Sequence, residues 1–239
     1  MTAGSHASIN KTARLAGALY LAMAVFGFFG ILYVPSVLVV PGDAATTARN
    51  IMASEGLFRS GTVSHLIGQT IFIFLVLALY RLLKPVDKNR AVLMVLLALL
   101  GVPIAFLNEV HHLGALRLLS SADGGGFTPT QLQVQAMRFL DMRRSGILLN
   151  QVFWGLWLLP LGLLILRSGF LPKLLGILLV IGGVGYVVDW ATQLLWPSLP
   201  TISQFTFLGE LLLPLWLLIK GVNVARWQEA ALQAHHGAV

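Results

Sequence analysis

The chain alternates between long apolar runs and short polar segments, and the length of the apolar runs predicts the fold. Six runs each hold close to the ~20 residues with which a helix crosses a hydrocarbon core about 30 Å thick. They predict six transmembrane helices over residues 13–34, 58–83, 91–110 or beyond, 147–166, 174–195 and 202–219. We therefore expect an all-α integral membrane bundle that forms a single domain over residues 1–239.

Two polar segments between these runs predict short amphipathic helices on one side of the membrane. Asp43 is suited to cap a helix over residues 44–55, and the Thr-Pro-Thr-Gln sequence at 128–131 has the spacing of a capping box with proline at the first helical position. A helix lying on the lipid headgroups is the plainer interpretation of each. The alternative is a lid over a pocket, hinged at the three glycines of residues 124–126.

Composition supports the bilayer as the solvent of this chain. Hydrophobic residues make up 57% of it and charged residues only 10%, with a mean hydropathy of +0.83. These values exceed what a soluble domain of this length needs to fill one core. Cysteine is absent, which excludes disulfides, thiolate nucleophiles and Cys-ligated metal centres.

The positive charges predict the orientation. Ten of the 16 lysines and arginines fall in short segments on one side of the predicted helices, and the other six fall on the opposite side. By the positive-inside rule, both termini are cytoplasmic, with an N-terminal segment at 1–12 and a tail at 221–239. Because the cations flank apolar helices and form no single basic patch, nucleic-acid binding is disfavoured.

Ionisable residues inside the apolar runs are the best indication of function. A charge at the centre of a membrane helix costs roughly 2.5–3.5 kcal/mol, so such residues usually face a partner, a cavity or a site. Helix rise places most of them, with several amides, in the outer half of the bundle. The predicted polar, ligand-binding pocket comprises His65, Gln69, Asn108, Glu109, His112, Asn150, Gln151, Asp189, Gln193 and Glu210.

A divalent metal is one hypothesis for this pocket. The Glu109-x-x-His112 spacing lets one helical turn give a carboxylate and an imidazole to zinc, iron or manganese, and the set could be completed by His65, Asp189 and Glu210. A pocket for a small polar or lipid ligand is the second hypothesis, and a structural network of hydrogen bonds and ion pairs is the third. Haem between His65 and His112 is disfavoured because their heights along the helices differ.

Several motifs along the chain resemble one family of bacterial membrane proteins. They are ARLAGALY at 13–20, VPGDAA at 40–45, ALYRLLKP at 78–85, SGFLPKLLG at 168–176, GYVVD at 185–189, Gly209-Glu210 and WLLIKG at 216–221. Together they resemble the family grouped as domain of unknown function 4386, over almost the whole chain. The resemblance implies a multi-helix membrane protein of bacteria and implies no activity or catalytic residue. We expect the protein to be a multi-pass protein of the bacterial cytoplasmic (inner) membrane.

Two functional classes remain open at this point. The first is a membrane-embedded enzyme, metal-dependent or lipid-processing, whose outward-facing pocket holds a metal or a polar headgroup. The second is a small transporter or sensor that binds a polar solute or a proton. A transporter needs a polar path that continues inward, whereas residues 72–80, 156–166 and 174–181 are largely apolar. A dead-end pocket in contact with the lipid bilayer therefore fits the sequence better.

The predicted topology can be tested with fusion reporters. A reporter placed after Val239 should report a cytoplasmic location, and one inserted at Gly125 should report export, because the positive charges hold the termini inside. An exported C-terminal reporter would reverse the assignment of the helix ends and the outward placement of the pocket.

Overall fold

In the computed structural model, which describes residues 3–121 and 124–236, every regular element of the described chain is helical. Two short elements interrupt or link the α-helices, a π-helical segment at Phe28–Tyr33 and a 3₁₀ turn at Gly124–Gly126. The α-helices are α1 Ala3–Gly27, α2 Val34–Leu38, α3 Ala44–Ala53, α4 Glu55–Leu83, α5 Lys88–Leu119, α6 Pro129–Leu156, α7 Leu158–Ser168, α8 Lys173–Leu195, α9 Ser203–Thr206, α10 Leu208–Ile219 and α11 Val224–His236.

Five stretches of the described residues are long and apolar enough to cross a membrane, and a bent pair of helices makes up to six. The five are Ile9–Leu38, Glu55–Leu83, Lys88–Leu119, Pro129–Ser168 and Lys173–Leu195. The bent pair joins Ser203–Ile219, which covers most of the sixth predicted span, to Val224–Ala234 at an angle of 101°. The prediction of an all-α membrane bundle is confirmed.

Prolines and a π turn mark where the long spans are interrupted. In the first span, the Val34 N–H bonds to the Phe29 carbonyl, five residues back, which is the spacing of a π turn. In the fourth span, Pro160 has no N–H for the carbonyl four residues earlier, and α6 gives way to α7 at Trp157. Both spans nevertheless remain continuous enough to count as one crossing each.

The chain divides into two compact units. The first unit collects the described residues of 1–22, 71–101 and 150–239, and the second collects 23–70 and 102–149. The sequence predicted one domain; that remains a prediction.

In the second unit, α3 is a separate helix with the predicted cap. Asp43 Oδ1 accepts the Thr46 N–H at 2.9 Å, and this backbone hydrogen bond holds the pKa of Asp43 below its usual value. The cap therefore contributes at neutral pH and is lost as falling pH protonates the carboxylate. Ile51 of α3 is fully buried in a cluster with Phe58 and Leu116. This differs from a helix that only rests on headgroups, because α3 packs into an apolar core of its own unit.

The second outer helix is a correction to the sequence prediction. Its residues are the first turns of α6, which continues without a break from Pro129 to Leu156. Gly146, where the sequence predicted a boundary, does not end the helix. The space that a Cβ would take at Gly146 is filled by the Asn108 side chain, so the glycine serves close packing.

In the first unit, glycines let α7 and α8 approach closely. A Cβ at Gly162 would lie 2.7 Å from the Gly176 carbonyl oxygen, and one at Gly176 would lie 2.7 Å from the Gly162 carbonyl oxygen. Small residues are the usual means of bringing two membrane helices into backbone contact. Close packing of α7 against α8 thus explains the glycines at positions 162 and 176.

This packing yields a stability prediction. Gly162→Ala should destabilise the protein by about 1–3 kcal/mol, because the added methyl group meets backbone that cannot move aside. Gly56→Ala in α4 is the matched control, since nothing lies within 4 Å of its Cβ position. Thermal unfolding in detergent compares the two, and equal melting temperatures would contradict the close approach of α7 and α8.

Candidate functional site

A buried carboxylate, Glu109 of α5, organises the polar residues of the second unit. Its side chain is 2% exposed, and its Oε1 lies 2.7 Å from His65 Nδ1 of α4. The same oxygen accepts two hydrogen bonds from Arg143 of α6, from Nε at 3.0 Å and from Nη2 at 2.7 Å. Three helices are therefore tied together through one oxygen atom.

Arg143 also reaches the π-helical segment. Its Nη2 donates to the Gly30 carbonyl oxygen at 3.3 Å, and its own carbonyl accepts the Asn108 amide at 2.8 Å. Gly30 is necessary at this point, because a Cβ there would lie 2.9 Å from the His65 backbone nitrogen. Arg143 is thus a buried cation whose backbone carbonyl and guanidinium both form hydrogen bonds.

The hydrogen bonds of His65 indicate its tautomer. Its Nδ1 faces the Glu109 carboxylate, and its Nε2 lies 3.4 Å from the Gln69 amide nitrogen. A proton on Nδ1 satisfies both contacts, because Nδ1 then donates and Nε2 accepts. His65 and Gln69 therefore share one face of α4.

His112 forms the other side of the cluster. Its Nδ1 lies 2.6 Å from Thr62 Oγ1 and 3.3 Å from Glu109 Oε2, and its ring packs against Phe58 with centroids 3.8 Å apart. Thr62 is the closer partner, and Glu109 Oε2 has no hydrogen bond among the described residues. The cluster consequently keeps one acceptor oxygen without a donor.

A cavity of about 850 Å³ opens beside this cluster, between the π-helical segment, α2, the start of α3, and α6. Its charged and polar lining comes from His112, Arg143, Arg138, Arg144 and Asp141. The remaining lining is largely apolar and comprises Ile31, Leu32, Pro35, Ser36, Val39, Pro41, Gly42, Ala44, Val134, Met137, Leu140 and Ile147. The second unit therefore combines a large apolar hollow with several cationic side chains at its wall.

The first unit holds the remaining acidic candidates, each with its own partners. Asp189 of α8 accepts the backbone N–H groups of Ile202 at 2.7 Å and Ser203 at 2.8 Å. Both oxygens are thus used to hold the start of the short helix α9. This contact gives Asp189 a structural role in connecting α8 to the following segment.

Glu210 of α10 lies among aromatic residues. Its Oε2 accepts the Tyr20 hydroxyl at 3.2 Å, Tyr186 is a second hydrogen-bonding partner, and its Oε1 has no partner among the described residues. Tyr20 packs against Trp157, with ring centroids 6.1 Å apart. This carboxyl therefore lies beside neutral phenols, with no cation bonded to it in the described part of the chain.

Three predicted amides of the first unit complete the set. Asn150 donates to the Gly101 carbonyl at 3.1 Å, and Gln193 donates to the Leu199 carbonyl at 2.7 Å. Gln151 is half-buried. The two bonded amides satisfy backbone carbonyls, which is what a membrane helix bundle requires of its internal polar groups.

The side chains of the described residues do not form a set of metal ligands. Within residues 3–121 and 124–236, no group of three or more His, Asp and Glu side chains is arranged to hold a metal ion. In the second unit, Glu109 Oε1 is already shared by His65 and Arg143, and a guanidinium repels a cation. The side chains of His235 and His236 lie outside the described residues.

Sequence reasoning missed Arg143 as the counter-ion of Glu109. Arg59 instead pairs with Glu55 at 2.6 Å on the surface. The helical spacing of the sequence could have indicated Arg143. Ala136 and Leu140 are buried on one face of α6, and the same spacing continues to Arg143. Predicting a helix end near Gly146 obscured that face.

The family of the chain follows from a comparison with known proteins. Residues 15–221 match the family described as Domain of unknown function (DUF4386). The chain belongs to this family. An uncharacterized protein of Archaeoglobus fulgidus is 32% identical over 168 residues, which cover 67% of this chain and 85% of that protein. No solved structure matches the chain. Similarity thus extends to an archaeal protein.

The ion pair at the centre of the cluster yields a second stability prediction. Arg143→Met should cost about 3–5 kcal/mol, because it leaves the Glu109 carboxylate buried without its cation. Arg143→Met combined with Glu109→Gln should recover much of that loss. Unfolding in detergent measures both.

Arg59→Met is the control for this pair. It removes the exposed ion pair with Glu55 and should change stability by only about 0–1 kcal/mol. A double variant no more stable than Arg143→Met would show that the two residues do not depend on each other.

Proposed function

We propose that this membrane protein binds an amphiphile with an anionic headgroup in the cavity of its second unit. The observation that supports this most is the cavity itself, an apolar hollow of about 850 Å³ with three arginines at its wall. Ligand pockets of roughly 300–1,000 Å³ with a few fixed polar groups are typical of small-molecule sites. The lining therefore offers an apolar surface for the hydrophobic part of an amphiphile and cations for its headgroup.

The arginines define the charge of the ligand. Arg143 is paired with Glu109, but Arg138 and Arg144 line the cavity against a single acid, Asp141, so the wall is net positive. Guanidinium groups bind phosphate and carboxylate through paired hydrogen bonds. An anion is therefore the group that this wall attracts.

Arg143 is the anchor of the proposed site. Its Nε and Nη2 are held by Glu109 and by the Gly30 carbonyl, so the guanidinium is oriented before any ligand arrives. Binding then costs little side-chain entropy, which favours affinity. The buried Glu109 cluster thereby holds one cationic side chain of the cavity wall in a fixed orientation.

The apolar lining receives the hydrophobic part of the ligand. Ile31 and Leu32 come from the π-helical segment, and Val134 and Met137 come from α6. Methionine adapts its shape to different ligands, which suits a flexible chain. A lipid or lipid-like molecule is the ligand class that meets both parts of the wall.

The proposed activity is that of a lipid-binding or lipid-processing protein of the cytoplasmic membrane, with both termini inside the cell. In an enzyme of this kind, His112 would be the acid–base group, because it lines the cavity and its Nδ1 is held by Thr62. Glu109 would act as the positioning residue behind it.

One observation favours a second function, that of a small transporter or sensor. Glu210 is a carboxyl group in an apolar helix whose bonded partners are two tyrosines. An intramembrane carboxyl of this kind is a usual place for a proton or a polar solute to bind. This alternative concerns the first unit and is independent of the cavity.

The proposed function is tested by lipid retention. Arg138→Gln with Arg144→Gln removes two exposed charges at the cavity and spares the buried cluster. We expect this variant to bind an anionic amphiphile such as lysophosphatidic acid about tenfold or more weakly, since each lost charge-assisted contact is worth roughly 1.5–3 kcal/mol. Native mass spectrometry of detergent-purified protein measures the retention.

Arg49→Gln with Arg117→Gln is the matched control, because it removes the same charge from residues that do not line the cavity. Equal retention by the two double variants would contradict the proposal. The same spectra report any metal, and one equivalent of a divalent ion lost on Glu109→Ala with His112→Ala would favour the metal-dependent alternative.

A further inference from the structure

Three motif segments that do not line the cavity of the second unit meet in the first unit. The loop after α7, within SGFLPKLLG, and the end of α10, within WLLIKG, line one hollow of about 410 Å³. The third segment, ALYRLLKP, is joined to them through α11, because Trp227 Nε1 donates to the Leu82 carbonyl at 2.8 Å. The three segments thus form a single local structure at one end of the helices.

Glycine and asparagine fix the sharp bend that closes this hollow. Gly221 has a φ of +67°, which favours glycine, and it stands between α10 and α11. The Val222 N–H donates to Asn10 Oδ1 at 3.1 Å, and the Asn223 N–H donates to the Phe170 carbonyl at 3.1 Å. The bend is therefore a built feature, hydrogen-bonded to α1 and to the α7–α8 loop.

The hollow is positively charged. Its lining includes Lys220 and Arg226 and no acidic residue. Arg226 Nη1 donates to the Gly169 carbonyl at 3.0 Å, which orients the guanidinium and leaves its other N–H groups for a ligand. Lys220 and the oriented Arg226 can together bind an anion that has several oxygen atoms, such as a phosphate.

The position along the chain indicates that a lipid carries this anion. Ser168 ends α7, Lys173 begins α8 and Ile219 ends α10, so the hollow lies where apolar helices stop. Trp216 lines it as well, and tryptophan beside lysine at a helix end is typical of the headgroup region. Basic pockets between membrane helices on the cytoplasmic side bind lipid headgroups.

We propose that the hollow formed by the α7–α8 loop and the α10–α11 bend binds the phosphate of an anionic phospholipid through Lys220 and Arg226. The lipid tail lies along the apolar ends of the helices, and the tryptophan flanks the headgroup. This site does not rest on the amphiphile cavity of the second unit, because none of its lining residues belongs to that unit.

The test compares lipid binding in nanodiscs or detergent by native mass spectrometry, with phosphatidylglycerol as the probe and phosphatidylcholine as the neutral lipid. Lys220→Gln with Arg226→Gln should weaken phosphatidylglycerol binding about tenfold or more, because it removes both cations that attract the anionic headgroup. Phosphatidylcholine binding should not change.

Lys84→Gln with Lys88→Gln is the matched control, because both lysines lie in the first unit, are exposed and do not line the hollow. A loss of equal size in the control would overturn the proposal, since it would show general attraction by basic residues. Arg226→Lys keeps the charge and should retain most of the binding if the variant is folded.

Two further results are decisive. If inorganic phosphate protects the protein against thermal unfolding as well as phosphatidylglycerol does, the site takes a soluble anion and the lipid assignment is wrong. If Lys220→Gln with Arg226→Gln melts at the temperature of the parent protein yet binds the lipid unchanged, the hollow is not the site. Neither result bears on the cavity beside Arg143.

Discussion

The buried carboxylate of Glu109 is the constraint on which the second unit depends. A membrane helix cannot offer it water, so its charge has to be met by protein donors. His65 and Arg143 supply donors from two neighbouring helices, and Arg143 extends the contact to Gly30. Because one acceptor fixes so many segments, the wall of the adjacent cavity is also fixed.

Local irregularity in the helices makes this arrangement sterically feasible. The π-helical segment carries Gly30 and two of the cavity-lining residues, Ile31 and Leu32, on the same short stretch. Because Gly146 has no Cβ, the Asn108 side chain can occupy the space beside it and donate a hydrogen bond to the Arg143 carbonyl. Both deviations lie beside the polar cluster, although each costs helical hydrogen bonds or side-chain contacts. π turns are frequent at functional sites.

The two units solve the problem of internal polarity in different ways. In the second unit, opposite charges meet within a buried network. In the first, Asp189 holds backbone N–H groups and Glu210 lies against tyrosine hydroxyls. A carboxylate that accepts backbone donors is mainly structural, whereas one beside a cavity with arginines can serve a ligand. This distinction separates residues that the sequence treated as one set.

The sequence by itself determined the helical class, the number of crossings to within one, the Asp43 cap and the polar residues inside the helices. These depend on run length, hydropathy and local hydrogen bonding, which a single segment carries. Only the tertiary structure decided that α6 runs unbroken from Pro129, that Arg143 is the partner of Glu109 and that Asp189 caps the start of α9. Helix continuity and ion pairing between residues 34 or more positions apart depend on how helices pack, and periodicity within one segment does not encode that.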